Sequence, residues 1–255
     1  MQGILKKIQA SRQDPQLHIH PCWLNYNKNP KIGAFTQSDS CNGRSLDELK
    51  KIFKLSIEIF ERWAGQKPDA IRTGSLLVDR TVYKVMSELN IHLASNVGLG
   101  IFKPTEAELQ LHSGRTKIDQ VMEVPVFTYQ DNGDNSIKTM QITSCSFPEM
   151  KAVLWAARAR RIENIVIITH PFEYIKKADD QYSKITPNRV NQNRIKKLCQ
   201  FINEHDQDFT STSFGQQSKT WSKIEQENIN DLRIPFYHRI IRKGHNFIND
   251  RVWNY

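Results

Sequence analysis

The sequence predicts an α/β fold built on a parallel sheet, open or closed into a barrel. Two observations carry that expectation. Strand-like and helix-like segments alternate along most of the chain, the order in which parallel strands are connected. Asn164 to Thr169 is a β-branched, apolar run, the composition of a parallel strand buried on both faces.

The elements follow in order. Gln16 to His20 is a short strand-like run that stops at Pro21, and residues 23–44 form a long polar loop rich in Asn, Gly, Ser and Pro. Ser45 opens a helix, with Glu48 three residues later as the second half of a capping box. Leu49, Ile52, Phe53, Ser56, Ile57, Phe60 and Trp63 recur at helical spacing, so this helix buries one face until Gly65 and Pro68 end it. Ala70 to Arg72 reads as a short strand leading into the turn Thr73-Gly74-Ser75. A second helix starts near Asp79, with Val82, Val85, Met86 and Leu89 apolar, and Ile91 to Ser95 is the next strand.

Residues 107–119 read as loop. Val121 to Phe127 and Lys138 to Thr143 read as strands around an Asp131-Asn132-Gly133 turn. Ser146 and Glu149 form another capping box, opening a helix that reaches Arg161. Pro187 to Glu204 is a long helix and Phe209 to Ser213 a closing strand. Beyond Lys219 a helical start gives way to Ile234-Pro235-Phe236-Tyr237, and Pro235 and Gly244 argue against one continuous helix. The expected organisation is one domain over 1–218 and a C-terminal extension, 219–255, that packs on it.

Composition narrows the function. The 255 residues suffice for one large α/β domain, and 38% hydrophobic with 25% charged residues suits a water-soluble globular chain. Apolar runs such as Ile165 to Ile168 are far too short to span a membrane, and the first ten residues hold lysines but no apolar stretch of signal length. The chain as given therefore reads as cytoplasmic. The four cysteines, at 22, 41, 145 and 199, form no CxxC pair, which argues against a zinc ribbon or a thioredoxin-type site. The net charge of +9 is dispersed over short clusters at Lys6-Lys7, Arg158 to Arg161, Lys176-Lys177 and Arg239 to Lys243. Without a basic stripe interleaved with aromatics it argues against a nucleic-acid-binding protein, and it reads as solvated helix faces. An anionic glycan, a nucleotide-linked sugar or an acidic membrane surface would also suit it.

Three segments could carry chemistry. In Leu17-His18-Ile19-His20-Pro21-Cys22-Trp23, strand alternation points His18 and His20 to the same side, and two imidazoles on one face can ligate one zinc or similar ion. The alternative is one buried and one surface histidine. In Ile168-Thr169-His170-Pro171-Phe172-Glu173, a histidine follows a buried parallel strand, at the carboxyl end where α/β sites sit. His170 could equally be a loop histidine, and Glu173 could orient it or, as favoured by the sequence, face solvent. In Arg72-Thr73-Gly74-Ser75, an arginine at a strand end precedes a tight turn whose amides could face an oxyanion, or else forms a structural salt bridge.

Taken together, LHIHPCW, IRTGS and ITHP resemble, in order, the histidine, arginine and late histidine motifs of the polysaccharide deacetylase (NodB-homology) family, over roughly Gln16 to Phe214. The resemblance implies a distorted (β/α) barrel and a hydrolase that removes acetyl groups from sugars, with an acetylated glycan as substrate and a divalent metal, usually zinc, as cofactor. It implies His18 and His20 as metal ligands, Arg72 as the residue that positions a carboxylate base, and His170 as general acid. Ile168 would line the acetyl pocket, and Trp23, Gly74 and Ser75 would line the substrate site.

Two departures temper this. The family's early aspartate pair has no counterpart, since Asp14 lies too close to the histidine motif to come from another strand. The commoner histidine motif spaces its ligands four apart, which from His18 reaches Cys22, so the second ligand is His20 or Cys22. The expectation is therefore weak metal binding, little activity from this chain, and an open barrel whose exposed edge a homodimer would cover. The alternative is a non-catalytic relative that binds a glycan or serves a structural role.

Overall fold

In the computed structural model the described residues are 2–26, 38–131 and 136–252. In chain order they form α1 (Gln2–Ala10), β1 (Leu17–Ile19), α2 (Leu46–Ala64), β2 (Ala70–Thr73), α3 (Arg80–Glu88), β3 (Leu93–Ala94), β4 (Thr116–Ile118) and β5 (Val121–Glu123). There follow β6 (Thr128–Asp131), β7 (Ile137–Thr139), α4 (Phe147–Ala159), β8 (Ile175–Lys177), β9 (Ile185–Pro187) and α5 (Arg189–Glu204). The chain closes with α6 (Phe214–Trp221), β10 (Arg233–Ile234) and α7 (Tyr237–Val252). It divides into two compact units, 1–125 with 212–228, and 126–211 with 229–255. The segment after residue 218 is thus shared: 219–228 belongs to the first unit and the remainder to the second.

The first unit is built on a five-stranded sheet in the order β1-β2-β3-β5-β4. The pairs β1–β2, β2–β3 and β3–β5 are parallel, and β4 is an antiparallel edge strand. Among the described residues the sheet ends on β1 and β4, and barrel closure is not seen. Its helices form where capping and apolar spacing agree. Ser45 accepts from the Glu48 amide at the start of α2, and Gly65 takes the left-handed conformation (φ 74°) that ends it. Leu49, Ile52 and Phe53 of α2 and Val82, Val85 and Met86 of α3 are fully buried in the same core as Ile71, Leu93 and Met122 of the sheet. Each such side chain contributes about 1.5–3 kcal/mol through removal from water.

The second unit holds a three-stranded sheet, β10-β6-β7, and a hairpin, β8–β9. Ser146 and Glu149 form both halves of the expected capping box at α4. Phe127, Tyr129, Met150, Val153, Leu198 and Phe201 lie in one hydrophobic cluster.

Several sequence expectations change. The Asn164–Thr169 run touches its neighbours only through isolated parallel bridges, Val126 to Val166 and Gln141 to Ile168, and Ile165 to Ile167 are half-buried. The predicted Val121–Phe127 strand breaks at Val124, so that β5 joins the first sheet while β6 pairs with β7; of the expected hairpin turn, Asn132 and Gly133 lie outside the described residues. Residues 107–119 are not all loop, because Thr116–Ile118 pairs with β5. Phe209 to Ser213 is not a strand: Phe209 packs its ring on Trp155 at 5.0 Å, and the polar residues after it join no ladder. Helix α7 runs through Gly244 without a break, since one glycine costs a helix only about 1 kcal/mol. Helix α1 arises where the sequence reading placed no element.

Candidate functional site

The carboxyl ends of the parallel strands gather polar residues on the first unit. His20 follows β1, Gly74 follows β2, Ser95 and Asn96 follow β3, and Glu123 ends β5. In open α/β sheets this is the edge where ligands bind.

His18 stands opposite Arg72 in the β1–β2 register, and its Nδ1 lies 3.1 Å from the Arg72 carbonyl oxygen. The rings of His18 and His20 meet edge to face with centroids 4.5 Å apart, and their Nε2 atoms are 2.8 Å apart. On its other side His20 places Nδ1 2.5 Å from Oδ2 of Asp39. The second Asp39 oxygen accepts from the Cys22 thiol at 3.0 Å. Burial pushes the Asp39 carboxyl up, but the hydrogen bonds from Cys22 and His20 outweigh it and hold the group below its usual value. Burial and the neighbouring carboxylate push the Cys22 thiol up. Of the two candidates for the second imidazole-type ligand, it is His20 that faces His18, while Cys22 is turned to Asp39.

Gly74 has a different role from an oxyanion turn. A Cβ on it would lie 2.5 Å from Nδ1 of His20, so the imidazole rests directly on the glycine backbone. The next residues, Ser75 and Leu76, take left-handed φ values of 53° and 57°, a strained turn for non-glycine residues. Ser75 is exposed, and Trp23 exposes 70% of its surface with its ring 6.3 Å from that of His20.

The Arg72 side chain is held by Ser95. Its Nε donates to the Ser95 carbonyl at 2.9 Å and its Nη2 to the Ser95 hydroxyl at 2.8 Å. The carboxylate within its electrostatic reach is Glu123, which is fully buried and accepts from the Asn96 and Val97 amides and the Tyr83 hydroxyl, each at 2.9 Å. Burial pushes Glu123 up to about 7 despite those bonds. Asn96 in turn accepts from the Thr73 amide at 2.8 Å, just before Gly74. Glu123 thus pins the turns that flank the site, without access to a ligand.

His170 and Ile168 belong to the second unit. Glu173 does not face solvent, contrary to the sequence expectation. It is buried, and its Oε1 lies 2.8 Å from Nδ1 of His170 and 2.7 Å from the Gln141 amide nitrogen. Its Oε2 accepts from Thr169 at 2.8 Å and from the His170 amide at 3.1 Å. Burial favours the neutral acid, but these bonds win and lower its pKa. Pro171 starts a tight 3₁₀ turn that brings the carboxylate back under the imidazole, which explains why a polar residue is buried there. His170 stacks on Phe172 with centroids 5.0 Å apart, and Ile168 is buried.

Asp39, Glu123, Asn96 and Ser95 escaped the sequence reading. Asp39 sits in a polar loop with no motif around it, and Glu123 ends a strand too short to stand out. Among the described residues no set of three or more His, Cys, Asp or Glu side chains converges as a metal site. His18 and His20 supply two imidazoles, one short of the three protein ligands usual in a catalytic zinc site. A cavity of about 260 Å³ in the second unit, lined in part by Phe147, Val190 and Arg194, includes none of these residues. Among the described residues no helix is long and apolar enough to cross a membrane.

No protein-family model matches the chain, and no curated protein matches it. Among solved structures it is similar to a crystal structure described as a "putative polysaccharide deacetylase" from Mycobacterium smegmatis. The identity is 12%, the TM-score 0.55, and the match covers 91% of this chain and 72% of that one. At that identity the likeness supports a relationship of fold and nothing finer.

Proposed function

We propose that the chain is a deacetylase-type hydrolase acting on acetylated sugars, with a divalent metal ion, zinc by its donor set, held at His18 and His20. The observation that carries this reading is the pair of Nε2 atoms 2.8 Å apart at the carboxyl end of a parallel sheet. The likeness in fold to a protein described as a polysaccharide deacetylase supports it. When bound, the ion would polarise an acetyl carbonyl and ease ionisation of water. The protein's own residues do the rest. Trp23 offers an exposed ring beside His20 on which a sugar face can stack. Gly74, without a side chain, leaves room for the His20 ring.

A second reading is favoured by one observation. The Asp39 carboxylate is engaged on the outer nitrogen of His20 and with Cys22, and among the described residues no third ligand joins the pair. A site with two protein ligands is one short of the usual catalytic zinc centre, which suits a non-catalytic protein that binds a glycan. Acetate release from acetylated chito-oligosaccharides, with added zinc or cobalt, separates the two. The hydrolase reading expects metal-dependent release that is lost in His18→Ala and His20→Ala. Saturable glycan binding without release at any metal concentration would establish the second reading in its place.

A further inference from the structure

We propose that the cavity lined from α4, α5 and α7 binds a small carboxylate with an apolar body, the carboxylate at Arg194 and Lys197 and the body against Phe147, Pro148 and Val190. The site lies wholly in the second unit and is independent of the reading of His18 and His20.

Arg194 carries the argument. It lines the cavity and is only 4% exposed. Its Nη1 donates to the Thr143 carbonyl at 2.7 Å, to the Ile142 carbonyl at 3.3 Å and to Oδ1 of Asn191 at 3.2 Å. Its Nη2 donates to Oδ1 of Asn246, on α7, at 2.7 Å. All four acceptors are neutral. Its Nε is buried and has no hydrogen-bond partner among the described residues. The carboxylate within electrostatic reach, Glu149, already accepts from Tyr129 and pairs with Arg242. A buried charge is ordinarily paired, and a buried N–H is ordinarily bonded. Arg194 thus brings to a cavity wall a guanidinium without a bonded counter-ion and one donor without an acceptor.

The rest of the lining defines the ligand. Val190, Arg194 and Lys197 follow one another on α5 at spacings of four and three, so they share a face of that helix. Lys197 is exposed, and His245 of α7 adds an imidazole, while no acidic side chain lines the cavity. With both Nη atoms of Arg194 engaged, the guanidinium offers one N–H and Lys197 an ammonium. That is one donor for each oxygen of a carboxylate. Phe147, Pro148 and Val190 have no polar side-chain atom, so the hydroxyls of a sugar would go unbonded against them, and an apolar body is favoured instead. The volume, about 260 Å³, lies just under the range of about 300–1,000 Å³ usual for small-molecule sites, which suits one ring or a short chain.

The test titrates the full chain, labelled with ¹⁵N-arginine, with phenylacetate. Calorimetry should show saturable binding, and the Nε–H resonance of Arg194 should move with it. Phenylacetamide, which keeps the ring and loses the charge, and inorganic phosphate, which keeps charge and has no apolar body, should each bind at least about tenfold more weakly. Arg194→Lys keeps the charge and removes the Nε donor, and should weaken phenylacetate binding about 10–100-fold. Because it also gives up the bonds to the Ile142 and Thr143 carbonyls, an exposed change serves as the second variant. Lys197→Glu should weaken binding by about fivefold or more. Lys196→Glu makes the same change of net charge at an exposed neighbour outside the cavity lining and should leave affinity unchanged. Absence of saturable binding would overturn the proposal, as would equal losses in Lys196→Glu and Lys197→Glu. Phenylacetamide or phosphate bound as tightly as phenylacetate would overturn it too, the first by removing the role of the charge and the second by removing that of the apolar wall.

Discussion

Nδ1 of His170 lies 2.8 Å from Oε1 of Glu173, a residue three positions on whose side chain is only 7% exposed. The carboxylate sets the orientation of the ring, while Thr169 and Gln141 hold the carboxylate in place. The two residues lie within a single tight turn, and Gln141 reaches their carboxylate from far along the chain.

Glu173→Ala should destabilise the fold. It removes the acceptor of the Gln141 amide and of the His170 ring, while Thr169 keeps its contact to the Tyr174 hydroxyl, and each partly buried orphan costs about 1–3 kcal/mol. The depressed pKa gives the wild type a stability that is present above the ordinary carboxylate value and lost as pH falls through the folded one. Denaturant midpoints at pH 7 and pH 3.5 measure both effects, and the gap between variant and wild type should narrow at the lower pH.

Glu123 behaves with the opposite sign. Its folded pKa is raised to about 7 by burial, so between pH 4.5 and 7 the folded state holds a proton that the unfolded chain releases. Stability should therefore fall as pH rises through that window, by on the order of 3 kcal/mol from this group. Glu123→Gln cannot titrate, and its unfolding free energy should lose most of that slope. A slope identical to wild type would assign the pH dependence to other groups.

Gly74→Ala should be felt at the histidines. The added methyl must displace the His20 ring, because its position lies 2.5 Å from Nδ1. Overpacking of this kind costs about 1–3 kcal/mol, and cobalt binding should weaken along with it. Ser75→Ala, one residue on and exposed, should leave both unchanged.

In the second unit, Arg242 of α7 donates to Asp131 at 3.0 Å and pairs with Glu149, and Tyr129 donates to the same Glu149 oxygen at 2.7 Å. Both carboxylates are buried. Arg242→Ala removes the ion-pair partner of Glu149 and leaves Asp131 only the longer contact to Arg239 at 3.7 Å, and thermal or denaturant unfolding should register a loss of about 3–5 kcal/mol. The loss should be smaller when Glu149 and Asp131 are replaced together with it by apolar residues.

By itself the sequence determined what local chemistry can specify. The capping boxes at Ser45 and Ser146, the apolar stripe of α2 and the stop at Gly65 are written within a few residues, and the helices start and end where those signals stand. The strand that carries His18, and the turn at Gly74 beside it, were legible for the same reason. Tertiary structure decided what depends on partners far along the chain. Asp39 meets His20 across nineteen positions and Arg72 meets Ser95 across twenty-three, and nothing local marks either pairing. The fate of Glu173 was decided by Gln141, thirty-two positions away, whose amide helps make burial of a carboxylate tolerable. Backbone dihedrals and caps are set by neighbours in sequence. Which nitrogen of a histidine holds its proton, and which carboxylate stays charged, is set by whatever the fold brings within hydrogen-bond reach.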